Sequence, residues 1–272
     1  MFYDVRGART YCYTGGKAFD AAQPTVVLIH GALGDHSVWA WQSRFLAHHG
    51  YNVLAVDLPG HGRSAGEAPA TVEQAADFIA ALLDAAGAPR AALVGHSWGS
   101  LIALEAAARL GARASHLVLI GTAHPMRVSA ALIEASQHTP EQAIKMINLF
   151  SRSTLAPPSG AGAWVYGAGM ALGRKVLAGN RQANVLHRAF VACDSYAGGD
   201  AAVAALACPV LFLLGARDQM TPPKAAQGLI AGARASGQRV EVVQLPVGHQ
   251  QMAEAPKATL DAIRKFLSEK PL

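Results

Sequence analysis

The chain has 272 residues, 51% hydrophobic and only 15% charged, a balance that suits a compact globule with a sizeable core and excludes an extended disordered tract. With 23 Lys and Arg against 18 Asp and Glu the net charge is +5, yet no Lys/Arg run exists, so neither a nucleic-acid face nor a polybasic membrane patch is expected. Cys12, Cys193 and Cys208 are too few for a disulfide framework and too scattered for a zinc site, no stretch reaches the ~18 apolar residues of a membrane span, and the charged start Met1-Phe2-Tyr3-Asp4-Val5-Arg6 lacks the apolar core of a signal peptide, so a cytoplasmic protein without metal is expected.

Residues 1–13 alternate loosely and stop at Gly15-Gly16, which predicts a short antiparallel hairpin at a sheet edge. Residues 25–29, Thr-Val-Val-Leu-Ile, are continuously apolar and β-branched, as in a strand covered on both faces. A helix over 38–48 follows, with Gly50 as its stop. The alternation then repeats: strand 53–56, loop 57–69, helix 71–86, strand 91–94, helix 97–110, strand 116–120. Such a rhythm predicts a doubly wound parallel sheet, whose ligand site lies beyond the carboxyl ends of the strands.

From 122 to 207 the rhythm breaks. Helical patterns over 130–137, 140–151 and 181–192 are separated by Ala156-Pro157-Pro158-Ser159-Gly160 and a glycine-rich piece ending at Gly173, which reads as an all-helical insertion. The sheet resumes with strand 209–214, helix 224–235, strand 239–245 and helix 252–267. The expected division is therefore a core of residues 1–121 and 208–272 with a cap of residues 122–207.

Residues that directly follow strands are the candidates for chemistry. Gly95-His96-Ser97-Trp98-Gly99 links a strand to a helix, the context of a nucleophile elbow. Glycines at 95 and 99 leave room for the sharp turn that lifts Ser97 above the sheet. A serine used this way needs an imidazole to take its proton and a carboxylate to orient that imidazole. Of 11 histidines, His249 in Pro246-Val247-Gly248-His249 follows the last strand. Asp218 in Leu214-Gly215-Ala216-Arg217-Asp218 follows the strand before it. Asp57 also follows a strand, but it opens Asp57-Leu58-Pro59-Gly60-His61-Gly62-Arg63-Ser64, where a buried carboxylate fixes a turn. The oxyanion donors expected are the N–H groups of Trp98 and of Ala32, or Leu33, in His30-Gly31-Ala32-Leu33-Gly34.

Together the elbow, the order Ser97, Asp218, His249, the His30-Gly31-x-x-Gly34 loop with Trp39 beyond it, and the Asp57-x-x-Gly60-x-Gly62-x-Ser64 turn resemble the α/β-hydrolase superfamily over residues 25–121 and 208–270. The resemblance implies an α/β fold with an eight-stranded, mostly parallel sheet flanked by helices, a helical cap inserted after the sixth strand, and a cofactor-free hydrolase. Relatives that open epoxides or remove halides carry Asp at the elbow, so Ser97 argues against both reactions here.

The resulting expectation is a serine hydrolase of the carboxylesterase kind, cleaving a carboxylic ester or similar acyl bond of a small to medium, mostly apolar molecule. Hydrolysis of a C–C bond in a β-diketone, lactone opening, perhydrolysis, acyl transfer and ligand sensing use the same parts and stay open. The partner expected is a small-molecule substrate, without nucleic acid or membrane; homodimer formation is left open. Leu33, Trp164, Tyr166 and Met170 are candidate pocket residues. His96 is expected to point away from the chemistry, His30 to brace its loop, and His61 to have no carboxylate partner. Gly167 to Gly173 lacks the spacing and leading strand of a dinucleotide site, and small residues packing cap helices explain it better.

Overall fold

The computed structural model describes residues 1–153, 165–180 and 183–269. Five strands with buried side chains lie side by side and parallel: β3 (Thr25–Ile29), β4 (Asn52–Val56), β5 (Ala91–His96), β6 (Ala114–Ile120) and β7 (Val210–Gly215). The parallel β8 (Val240–Leu245) closes one side of the sheet, and the antiparallel hairpin of β1 (Phe2–Val5) and β2 (Ala8–Tyr13) closes the other. The order is β1-β2-β4-β3-β5-β6-β7-β8. The hairpin turns at Arg6-Gly7, where both residues have positive φ and the Asp4 carboxylate accepts from the Gly7 N–H.

Because side chains alternate along a strand, the sheet feeds two cores. Val27, Ile29, Leu93, Leu119, Phe212 and Leu214 pack toward α2 (Val72–Ala85) and α3 (Trp98–Leu110). Val26, Leu28, Val94, Ile120, Leu211 and Leu213 pack toward α1 (Ala40–His48) and the C-terminal helix. Helix α2 starts where expected because the Thr71 hydroxyl accepts from the Gln74 N–H.

Between β6 and β7 the described residues are helical and hold no strand: α4 (Ala130–His138), α5 (Pro140–Phe150), α6 (Val165–Gly179), α7 (Val185–Ser195) and α8 (Gly199–Ala204). The glycine-rich piece read as a separator is in fact helix α6. Its glycines mark close approaches: a Cβ at Gly173 would stand 2.8 Å from Leu33 and 3.0 Å from Ile144. Packing against these neighbours outweighs the poor helix propensity of glycine. Helix α8, absent from the sequence reading, packs against α3 and against α9 (Gln227–Ala235), so it belongs to the layer under the sheet. After β8 the chain forms α10 (Gln251–Glu254) and α11 (Pro256–Ser268), which the sequence pattern merged into one helix; the non-helical backbone of Ala255 separates them, and Pro256 fits the first helical position of α11. No helix among the described residues is long and apolar enough to cross a membrane.

Candidate active site

The parallel register brings the carboxyl ends of β3, β5 and β6 level, with Ile29 opposite Gly95 and His96 opposite Ile120. Ser97 leaves this edge with φ 55 and ψ −122, a strained conformation for a residue with a side chain. The neighbours enforce it. A Cβ on Gly95 would lie 2.0 Å from the Gly99 carbonyl oxygen, and one on Gly99 would lie 2.4 Å from that of Ile29. The Ser97 N–H donates to Ile120 O at 2.9 Å, and the Ser100 hydroxyl donates to Ser97 O. These contacts fix the elbow from both sides.

His249 lies at the same edge, 3% exposed. Its Nδ1 stands 2.8 Å from Asp218 Oδ2 and 3.0 Å from Thr221 Oγ1. Thr221 Oγ1 also donates to Asp218 Oδ2 at 2.8 Å, while Asp218 Oδ1 accepts from the N–H groups of Met220 and Thr221. A carboxylate that only accepts requires Nδ1 to carry the proton, which leaves Nε2 as the basic nitrogen. Burial pushes the Asp218 carboxyl up, but the His249 charge and hydrogen bond and the Thr221 donors outweigh it and hold it below the usual range. Thr221 was missed in the sequence; the signal was Asp-x-x-Thr, in which the Asp side chain bonds the backbone two and three residues on.

His96 corrects an expectation. It lies against His249, ring centroids 4.7 Å apart, and its Nε2 donates to the His249 carbonyl at 2.8 Å. Burial first, then the neighbouring His249, push its pKa down to about 3, so it is a neutral donor that braces the loop. This contact also brings the His249 ring beside the residue preceding Ser97. Among the described residues Ser97 Oγ makes no hydrogen bond, so proton transfer to His249 requires the two to close on each other.

The loop after β3 abuts the elbow, since a Cβ on Gly31 would stand 3.1 Å from Ser97 Cβ. Trp98 is the first residue of α3, so its N–H has no acceptor within that helix. Leu33 holds φ 60, and Ala32 beside it lines the same cavity as Ser97. His30 braces this loop as expected: Nδ1 lies 2.9 Å from Gly31 O, and Nε2 accepts from the Leu58 N–H. Asp57 is not a partner of His249. Its oxygens accept from the N–H groups of His36 and Arg63 and from the His36 ring. Asp35, His36 and Asp57 have the donor atoms of a metal site, but Lys175 Nζ already sits 2.8 Å from Asp35 Oδ2.

Ser97 opens onto a cavity of about 260 Å³ lined by Met126, Leu132, Met146, Phe150, Phe190 and Met220, with Arg127, Ser129 and Gln219 among its polar lining. The candidate pocket residues fall elsewhere. Met170 is 6% exposed in the core formed by the inserted helices, Tyr166 is exposed at 39%, Leu33 joins the same inserted core and lines a neighbouring cleft, and Trp164 lies outside the described residues. Helix periodicity marked α5 but not which of its faces would border the serine. A larger cavity of about 690 Å³ lies at the amino ends of the strands, lined by Thr25, Ala92 and His116, away from Ser97.

Residues 24–157 match the sequence model of a family described as alpha/beta hydrolase fold. Among characterised proteins, the chain is 39% identical over 122 residues to a dihydrolipoyllysine-residue acetyltransferase component of an acetoin cleaving system from Cupriavidus necator, covering 44% of this chain and 31% of that one. It is 38% identical over 100 residues to lipase LipV of Mycobacterium tuberculosis, covering 36% and 37% of the two chains. The matched stretch thus spans about a third of these relatives, 31% and 37% of their length. A solved enol-lactonase from Burkholderia xenovorans LB400 superposes with a TM-score of 0.79 at 22% identity, over 99% of this chain and 100% of that one. At that identity the likeness establishes a shared fold.

Proposed function

We propose that the chain, which has the α/β-hydrolase fold, is a serine hydrolase cleaving carboxylic esters or similar acyl bonds of small to medium, mostly apolar substrates. The observation that carries this reading is the Asp218–His249 pair held at the sheet edge beside a strained serine elbow that opens onto an apolar cavity. Ser97 Oγ adds to the substrate carbonyl carbon while His249 Nε2 takes its proton. The oxyanion rests on the N–H groups of Ala32 and Trp98, each aligned donor contributing about 3 kcal/mol to transition-state stabilisation. The tetrahedral intermediate then collapses, and its leaving-group oxygen takes the proton back from His249. Water, deprotonated by the same nitrogen, attacks the acyl-enzyme and frees the carboxylic acid. Asp218 keeps Nδ1 protonated throughout and stabilises the imidazolium. The cap, formed in this reading by the inserted helices ahead of α8, supplies the acyl-binding wall through Leu132, Met146, Phe150 and Phe190.

The test is p-nitrophenyl ester turnover by wild type and Ser97→Ala. If the residues act as a unit, turnover falls on the order of a million-fold. Retained turnover by the purified variant removes Ser97 from the mechanism.

A further inference from the structure

Arg152 follows α5 at the point where the inserted helices meet the His249 loop, and among the described residues no carboxylate pairs with it directly. Its Nη1 donates to Asn148 Oδ1 at 2.8 Å, while its Nε is buried without a partner. Glu254 is the acid that acts on it electrostatically, but both Glu254 oxygens are engaged by backbone N–H groups: Oε2 by Ser153 and Gly248, Oε1 by Gln250. No carboxylate forms an ion pair with Arg152 among the described residues. Burial accordingly pushes the Arg152 pKa down. A partly buried cation gains from a further anion at its free guanidinium edge.

Space for that anion adjoins the guanidinium. A cleft of about 270 Å³ is lined by exposed Trp41 and Arg152, and a narrower one of about 70 Å³ beside it is lined by Gly31 to Gly34. The two share Val38, Arg152, Gly169, Leu172 and Gln250. Gly169 lets α6 pass close to the guanidinium, since a Cβ there would stand 2.7 Å from Nη2. Ala32 lines both the narrow cleft and the Ser97 cavity, which places the cleft beside the oxyanion loop. The wider cleft is otherwise largely apolar while the narrow one also carries His96, Asn148, Ser151 and Gln250, and a single guanidinium matches a planar monoanion better than a phosphate dianion.

We propose that this cleft is the leaving-group subsite and that Arg152 binds a carboxylate there, so that the preferred substrates are esters with an apolar acyl group and an acid-bearing alcohol. The inference rests on the serine hydrolase reading for its chemistry, but its binding can be measured independently.

Two esters sharing one acyl group serve as probes: 4-carboxyphenyl butyrate and its methyl ester, 4-(methoxycarbonyl)phenyl butyrate. Wild type is expected to prefer the anionic ester by about tenfold or more in kcat/KM, the scale of one charge-assisted hydrogen-bonded pair. The ratio falls to about one in Arg152→Gln and recovers in part in Arg152→Lys; comparing two substrates on one enzyme cancels any general loss of folding or catalysis. In parallel, calorimetric binding of the uncleaved amide 4-(butyrylamino)benzoate is expected to require Arg152. Equal use of the two esters by wild type, a preference that survives in Arg152→Gln, or amide binding indifferent to that substitution each overturns the proposal. Cleavage of neither ester, with Arg152-dependent amide binding intact, instead overturns the hydrolase reading and leaves the subsite standing.

Discussion

The His249 N–H donates to the carbonyl of Ser151 at 2.8 Å, so the loop that carries the proposed base is hydrogen-bonded to the end of the inserted helices as well as to the sheet. Gln250 N–H reaches the same carbonyl at 3.2 Å. Gly248 completes the fit, because a Cβ there would stand 2.7 Å from Ser153 N. Helix α5, which contributes Met146 and Phe150 to the cavity wall, ends one residue before Ser151. The surface that would contact the acyl group and the backbone that positions the base are therefore consecutive.

Glu254 fastens this junction, and its replacement by Gln is the direct probe. The carboxylate accepts from Ser153, Gly248 and Gln250, whereas an amide offers one acceptor and turns its own donors toward backbone N–H groups. Each buried donor left unsatisfied costs about 1–3 kcal/mol. Glu254→Gln should melt several degrees lower, and its ester kcat should fall by about tenfold or more while KM stays within about twofold. A lowered melting temperature with kcat unchanged would show the carboxylate to be structural only.

Thr221 is expected to act through Asp218 and His249. Its hydroxyl donates to Asp218 Oδ2 and lies 3.0 Å from His249 Nδ1, so Thr221→Val removes one donor from the carboxylate and one neighbour from the ring. A loss of about 1–1.5 kcal/mol corresponds to about a tenfold fall in kcat. KM should hardly move, and Thr221→Ser should restore the rate. Failure of the serine variant to restore it would assign the effect to packing.

Acid should weaken the fold through histidines that are buried neutral. Burial pushes the pKa of His61 and of His96 from 6.5 down to about 3, and that of His30 down as well. Between pH 6.5 and about 3 the unfolded chain binds protons at these rings that the folded chain does not. Their contribution is therefore complete above pH 6.5 and is lost as pH falls through that window. The urea midpoint should decline steadily from pH 6.5 to 4, and less steeply in His61→Gln; a flat profile over that range contradicts the buried-neutral assignment.

Much of the site was legible because it follows strands. Continuous apolar runs marked the parallel strands, and the residues just beyond them, Ser97, Asp218 and His249, include the groups the structure gathers at one edge. Glycine had two opposite readings. At 95 and 99 it marked a turn with no room for a Cβ, and the elbow has that geometry. At 169 and 173 it suggested both a separator and small residues packing inserted helices, and the chain is helical there, because the same absence of side chain serves helix–helix contact.

The one-dimensional pattern determined the sheet, the order of its strands and helices, and the residue types standing at their ends, since periodicity and turn chemistry are local properties. Only the tertiary structure decided which face of α5 borders the serine, that Thr221 and His96 contact the Asp218–His249 pair, and that no carboxylate among the described residues pairs directly with Arg152. These facts depend on contacts between residues distant in the chain, as between His96 and His249, and no local pattern encodes such distances.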